Sequence, residues 1–374
     1  MVFGISCRMA MVFIVWALMA FLSVGLEDSK ALAITGSTVG INYGQIADNL
    51  PPPAKVAELL KALKVTKVKL YDWNPAILKA FANSDVELVV GIGNGFVAGL
   101  MDTQAALSWV TQNIQPYLSS TKVTGFSVGN EVYTGDDAAL KANLVPAMRS
   151  IHTALVSLGL DSAIKISTAH SLSVLTSSYP PSAGAFDPAI MQLLREHLDF
   201  LAVTGAPFWI NAYPFFAYKD NAGKISLDYA LLKPNPGTDD PNTHLHYDNM
   251  LYAMVDAVYS ALGAMGYGNL EVRISETGWP SKGDADELGA SIQNAATYNR
   301  NLLQRLLKNQ GTPMKPNSAL QAYIFALFNE DLKNGPTSER NYGLFKPDES
   351  MVYNIGLEGG LTVEFSAYAS SAQI

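Results

Sequence analysis

The sequence predicts an α/β fold, a single-domain (β/α)8 TIM barrel, on three observations. Short apolar runs rich in β-branched residues recur eight times, amphipathic helical patterns lie between them, and the ends of successive runs fall 21 to 63 residues apart. That spacing suits parallel strands, which need a crossover connection rather than a tight turn. Closed barrels routinely exceed about 250 residues as one domain, so a chain of 374 residues does not require two.

The runs are VGINY (39–43), KVKLY (67–71), VELVVGI (86–92), KVTGFSVGN (122–130), IKISTAH (164–170), FWINAY (208–213), LEVRISE (270–276) and AYIFALF (322–328). Residues 137–158 place Leu140, Leu144, Met148, Ile151, Leu155 and Leu158 on one helical face despite Pro146. Residues 247–265 repeat the pattern with Leu251, Met254, Val255, Val258 and Leu262, and residues 289–309 with Ile292, Ala296, Leu303, Leu306 and Leu307, before Gly311 as a stop signal. Residues 214–246, rich in Pro, Asn and Asp, form a small insertion after strand six, beside the barrel mouth. A doubly wound sheet is the alternative. It would need a cofactor fingerprint at its switch point, and the Gly-rich run GIGNG (91–95) lacks both that spacing and a following ribose-binding acid, so it reads as a tight loop.

Composition narrows the function. A chain that is 49% hydrophobic and 16% charged has the apolar content for a large core. Its net charge of −8 suits a nucleic-acid partner poorly. The single cysteine, Cys7, excludes a disulfide framework, an iron–sulfur cluster and a cysteine-based zinc site. Cys7 also falls inside a predicted secretory leader, residues 1–33, in which Arg8 precedes an apolar stretch from Met9 to Leu26 and Ala31-Leu32-Ala33 supplies the cleavage pattern. A membrane anchor is the competing reading of that stretch. The expected mature chain, residues 34–374, is then secreted to the cell exterior or wall, has no membrane span, acts as a monomer and needs no cofactor or metal. His244 and His246, beside Asp239 and Asp240, read as a solvated loop, and His152, His170 and His197 have no nucleophile at triad spacing.

In a barrel, reactive side chains belong at the C-terminal ends of strands. Glu131 ends VTGFSVGNE (123–131) on the fourth strand and Glu276 ends the apolar run of EVRISETGWP (271–280) on the seventh, so each emerges at the mouth after a buried run. Paired carboxylates across one cleft suit glycoside hydrolysis, in which one group protonates the departing oxygen and the other attacks or activates water. Asn130 stands where it can hydrogen-bond a sugar 2-hydroxyl. Tyr71, Tyr213, Phe216 and Trp279 lie at or just beyond strand ends, where flat rings can cover pyranose faces, and a tyrosine hydroxyl there can also steady a nucleophile's charge. Phe208, Trp209 and Phe215 read as core.

From about residue 39 to 355 the chain resembles the plant endo-1,3-β-glucanases of glycoside hydrolase family 17. The matching stretches are INYGQ (41–45), KLYD (69–72), FSVGNE (126–131), SYPPSAGAF (178–186), NAYPFF (211–216), SETGWPS (275–281), FALFNED (325–331) and YGLFKPD (342–348). The resemblance implies a (β/α)8 barrel that cuts internal 1,3-β-glucosidic bonds with retention, Glu131 as acid/base and Glu276 as nucleophile. It also implies that Glu330, Lys333 and Glu339 line the cleft. A lysine between two carboxylates is then expected to hold them ionised at lowered pKa. Cutting of mixed-linkage 1,3;1,4-β-glucan, and binding of glucan without cleavage, are the alternatives.

Overall fold

The computed structural model describes residues 38–357, so the leader read at 1–33 and the tail after Leu357 lie outside the described residues. Eight parallel strands close into a barrel: β1 (Val39–Tyr43), β2 (Lys67–Leu70), β3 (Glu87–Ile92), β4 (Lys122–Asn130), β5 (Lys165–Ser171), β6 (Phe208–Asn211), β7 (Val272–Thr277) and β8 (Ala322–Ile324). The last strand closes onto the first, with Val39 opposite Ala322 and Ile41 opposite Ile324.

Helices α1 (Pro53–Ala62), α2 (Pro75–Ala80), α3 (Thr103–Asn113), α4 (Ala138–Ser157) and α5 (Met191–Thr204) make the first five crossovers. Between β6 and β7 come α6 (Pro214–Asp220), α7 (Leu227–Ala230) and α8 (Met250–Ala264), and α9 (Ile292–Leu306) leads into β8. Several begin on a side chain that accepts an otherwise orphaned backbone N–H: Asp102 from Ala105, Asp137 from Leu140, Asn249 from Tyr252 and Ser291 from Asn294. Pro146 sits inside α4, where the burial of Leu144, Val145, Ala147 and Met148 around it offsets the backbone bond it cannot make. The expected insertion contains α6, α7 and an antiparallel hairpin pairing Thr238–Asp239 with His246–Tyr247. Its His246 Nδ1 meets Asp239 Oδ1 at 2.7 Å, and among the described residues no group of three metal-ligating side chains is gathered.

Two expectations need correction. The eighth ladder ends at Ile324 rather than 328, because Ala326 N–H turns away to Tyr342 O, and Leu327 N–H reaches Asn42 O of β1 only out of the register that pairs Ile324 with Ile41. No α-helix follows β8 among the described residues; residues 329–350 are dense in Asn, Gly, Pro and Asp, and form only the 3-10 turn Thr337–Arg340. Phe328, Leu344, Phe345 and Ile355 from this returning coil are buried in the place an eighth helix would cover. No helix among the described residues is long and apolar enough to cross a membrane.

Alternation sends Val68, Leu70, Leu88 and Val90 outward under the helices, and Val89, Trp209 and Tyr323 inward, where they form a separate buried cluster. Trp209 and Tyr323 stack at 5.6 Å, and a Cβ on Gly40 would lie 2.4 Å from the Tyr323 ring, so only glycine leaves that ring its space. The barrel is therefore floored below its mouth. Ladder register slips between Ser127 and Asn130 on β4 and between Ile274 and Glu276 on β7. Such bulges re-aim side chains at barrel rims, and each lies directly before one of the two predicted glutamates.

Candidate active site

Glu131 leaves β4 in a left-handed backbone conformation, φ 53°, two residues after Gly129 at φ 66°. For a residue with a Cβ that conformation costs about 1–2 kcal/mol. It is held by Glu131 N–H to Ala169 O at 2.8 Å, and by Asn94, whose side chain accepts from Asn130 N–H at 2.7 Å and donates to Asn130 O at 3.2 Å. Asn211 at the end of β6 donates its amide to Glu131 Oε1 at 2.9 Å. Burial raises the Glu131 pKa, Asn211 opposes the rise, and the charge of Glu276 adds to it.

Glu276 is treated in the opposite way. Lys69 Nζ lies 3.2 Å from Oε1, Tyr71 donates its hydroxyl to Oε1 at 2.7 Å, and Tyr213 donates to Oε2 at 2.9 Å. Burial by itself would raise this carboxyl, but Lys69, the Tyr71 hydrogen bond, Lys333 and the Tyr213 hydrogen bond outweigh it and hold the pKa below the ordinary range. Burial, reinforced by Glu276, pushes both tyrosine pKa values up, so the hydroxyls stay protonated as donors. Lys69 is 1% exposed and its ammonium sits 4.3 Å from the Tyr71 ring centre. Sequence reasoning gave Lys69 and Asn211 no role, although Lys69 carried a signal: a charge inside the apolar run KVKLY, on the face shared with Tyr71.

The two glutamates open into one cleft of about 580 Å³. Asn130, Tyr213, Phe216, Lys333 and Glu339 line it with them, as the sequence suggested, joined by Phe325 and Tyr342. Lys333 Nζ stands 4.2 Å over the Phe325 ring and 3.9 Å from Glu339 Oε2. The Asn130 side-chain oxygen is buried without a partner in the structure, which leaves it free to accept from a ligand.

Trp279 and Glu330 are not where the sequence suggested. Trp279 is fully buried among Phe215, Tyr218 and Tyr298, and its indole donates to Gly289 O at 2.8 Å, so it braces the β7 loop from behind and covers no sugar. Glu330 is 3% exposed and lies beneath the cleft, accepting Ile46 N–H at 2.7 Å, with Gly44 packed so closely that a Cβ would come within 2.4 Å of the carboxylate. Lys333 acts on its carboxylate neighbours in the expected direction, but the expected net lowering of their pKa does not follow. Burial raises both Glu330 and Glu339, and Lys333 only moderates the rise. Phe208, Trp209 and Phe215 are core, as read. His170 and His197 form a buried pair 3.3 Å apart, with burial pushing His197 down to about 3, and neither contacts a nucleophile.

A parallel barrel whose mouth presents one carboxyl with its pKa lowered by cationic and hydroxyl partners and another with its pKa raised by burial has the equipment of a two-carboxylate glycoside hydrolase. Residues 39–357 match the profile of the glycosyl hydrolases family 17, and the chain belongs to that family. It is 53% identical over 327 residues to glucan endo-1,3-beta-glucosidase 11 of Arabidopsis thaliana, covering 87% of this chain and 77% of that protein. It is 52% identical to glucan endo-1,3-beta-glucosidase 14 of the same plant, covering 88% and 84%. Among solved structures, a beta-1,3-glucanase and allergen of Cryptomeria japonica pollen superposes with a TM-score of 0.82 at 42% identity, covering 86% of this chain and 99% of that one. A plant beta-glucan endohydrolase, one of two with distinct substrate specificities, gives a TM-score of 0.78 at 36% identity, covering 85% and 99%.

Proposed function

We propose that this glycoside hydrolase cuts internal 1,3-β-glucosidic bonds of a glucan with retention of configuration, through a covalent glycosyl-enzyme on Glu276. The observation that carries this reading is the opposite treatment of two carboxyls in one cleft. Glu276, held ionised by Lys69, Tyr71 and Tyr213, is fit to attack the anomeric carbon. Glu131, its pKa raised by burial and its carboxyl steered by Asn211, is suited to hand a proton to the leaving oxygen. In the second half-reaction Glu131 takes a proton from water, which attacks the same carbon and releases Glu276. Asn130 would hold the sugar's 2-hydroxyl, a contact that tightens as positive charge develops on the ring, and Phe216 would cover a pyranose face. The relatives' names supply the 1,3 linkage.

The stereochemical course tests the mechanism. Proton NMR during digestion of a linear 1,3-β-glucan should show the β-anomer of the new reducing end first; first appearance of the α-anomer would refute a glycosyl-enzyme. Parallel digestion of a mixed-linkage 1,3;1,4-β-glucan ranks the linkages, and faster release from that polymer would overturn the assignment. We also propose that residues 1–33 direct secretion and 34–374 form the mature catalytic domain. The secreted protein should then begin at or near Ile34.

A further inference from the structure

The motif GIGNG found no use in the cleft, yet its last glycine opens a second concavity. Asn94–Phe96 and Ala98–Leu100 form two consecutive 3-10 turns after β3. Between these turns and one face of α3 lies a groove of about 440 Å³, whose lining includes Gly95, Phe96, Gly99, Ser108, Trp109 and Gln112. Ser108, Trp109 and Gln112 fall on a single helical stripe.

Three features point to a ligand. No residue lining the groove carries a charge, although the chain has a net charge of −8, and the lining mixes rings with hydroxyl and amide groups. Phe96 is 55% exposed although it heads an aromatic train: Trp73 meets it edge-on at 4.5 Å, and Trp73 in turn meets Trp109 edge-on at 5.4 Å. Trp109 is itself nine-tenths buried, and its indole N–H has no partner in the structure. The third feature is the pair of glycines. Neither Gly95 nor Gly99 has positive φ, and a Cβ on either would meet nothing within 4 Å. Neither backbone conformation nor packing calls for glycine there, and side chains would only fill the groove.

We propose that this groove is a second binding site for a neutral β-glucan chain, outside the catalytic cleft. The inference rests on the glucan reading above for the identity of the ligand. A ring, bare backbone and side-chain amides form the surface that a flat, uncharged pyranose chain can lie against. The groove is also tied to the cleft: Asn94, two residues before Phe96, holds both backbone groups of Asn130. A polymer held on this flank keeps further segments of the same chain near the mouth and raises their effective concentration.

The test compares the intact enzyme with Phe96→Ala and Gly99→Leu on two substrates, a long 1,3-β-glucan and a short 1,3-β-linked tetrasaccharide. Loss of one stacking ring predicts a fall in kcat/KM of about 3- to 10-fold on the polymer, with the tetrasaccharide within about twofold of the unmodified enzyme. In a Glu276→Gln background, native electrophoresis through soluble 1,3-β-glucan should show reduced retardation for both variants. Unchanged polymer kinetics and retardation would overturn the proposal. An equal loss on both substrates would also overturn it, because the effect would then pass through Asn94 into the cleft. An unmodified enzyme that cleaves neither substrate would instead remove the glucan reading, and with it the ligand named here.

Discussion

Replacing Lys69 with methionine removes the one ammonium in direct contact with Glu276 while keeping most of the buried stem. At 3.2 Å and an effective dielectric constant of about 20, the attraction lost is about 5 kcal/mol. Burial already acts to raise the Glu276 carboxyl, and without Lys69 only the two tyrosine hydrogen bonds and the more distant Lys333 oppose it. Relaxation and water entering the site reduce the effect, so an upward shift of one to two units, about 1.4 to 3 kcal/mol, is expected. On the proposed mechanism Glu276 must be ionised to attack, so its pKa would set the acid limb of the pH profile, with activity lost as pH falls through it. The limb should therefore move up, and a variant compared with the unmodified enzyme one unit above the original limb should lose about two- to tenfold in kcat/KM. The assay is reducing-sugar release from 1,3-β-glucan across a pH series, with Lys69→Arg as the charge-retaining control. An acid limb unmoved in Lys69→Met would refute the claim that this ion pair keeps Glu276 ready.

Other substitutions probe other parts of the structure. Asn211→Ala deletes a hydrogen bond that opposes the raised pKa of Glu131, so the alkaline limb should move up while kcat/KM falls about tenfold, hydrogen bonds to charged groups being worth about 1.5–3 kcal/mol; a limb that moves down contradicts the assignment. Trp279→Ala should destabilise the fold by about 3–5 kcal/mol, read as a lower urea midpoint, whereas a raised KM with unchanged stability would return Trp279 to the cleft. Asp256 is buried, and burial raises its pKa to about 6. A carboxyl raised in the folded state is bound to a proton there while the unfolded chain has already lost it, so stability falls as pH rises from about 4 to 6. Asp256→Asn should flatten that slope, worth about 3 kcal/mol in total, and an unchanged slope in denaturation series at pH 4, 5 and 6 would show that another group causes it.

The barrel was legible because its signals are local and repeated. Eight apolar runs, helical stripes and breaker residues all report on short windows of chain, and strand positions agreed with the ladder to within a residue or two except at β8. There the apolar run AYIFALF continued past the last ladder bond, since buried coil and buried strand look alike in sequence. The glutamates were legible for a related reason: each ends an apolar run. What surrounds them was harder to read. Lys69 and Glu276 are 207 positions apart and Asn211 and Glu131 are 80 apart, and no window of sequence shows a pairing made by barrel closure. Trp279 was misplaced because proximity to a strand end does not say which way a ring turns. Glu330 was misplaced because its acceptor role toward Ile46 exists only once the coil after β8 returns to β1.

The stacked Trp209 and Tyr323 fill the barrel interior below the mouth, and Glu131 and Glu276 line the cleft above them. On the proposed function a glucan chain lying in that cleft would cover both carboxyls. On the proposed mechanism the proton that Glu131 gives to the leaving oxygen is regained from the attacking water, so each turnover returns both carboxyls to their starting state. Acidity then acts twice, on the free enzyme through kcat/KM and on the occupied enzyme through kcat.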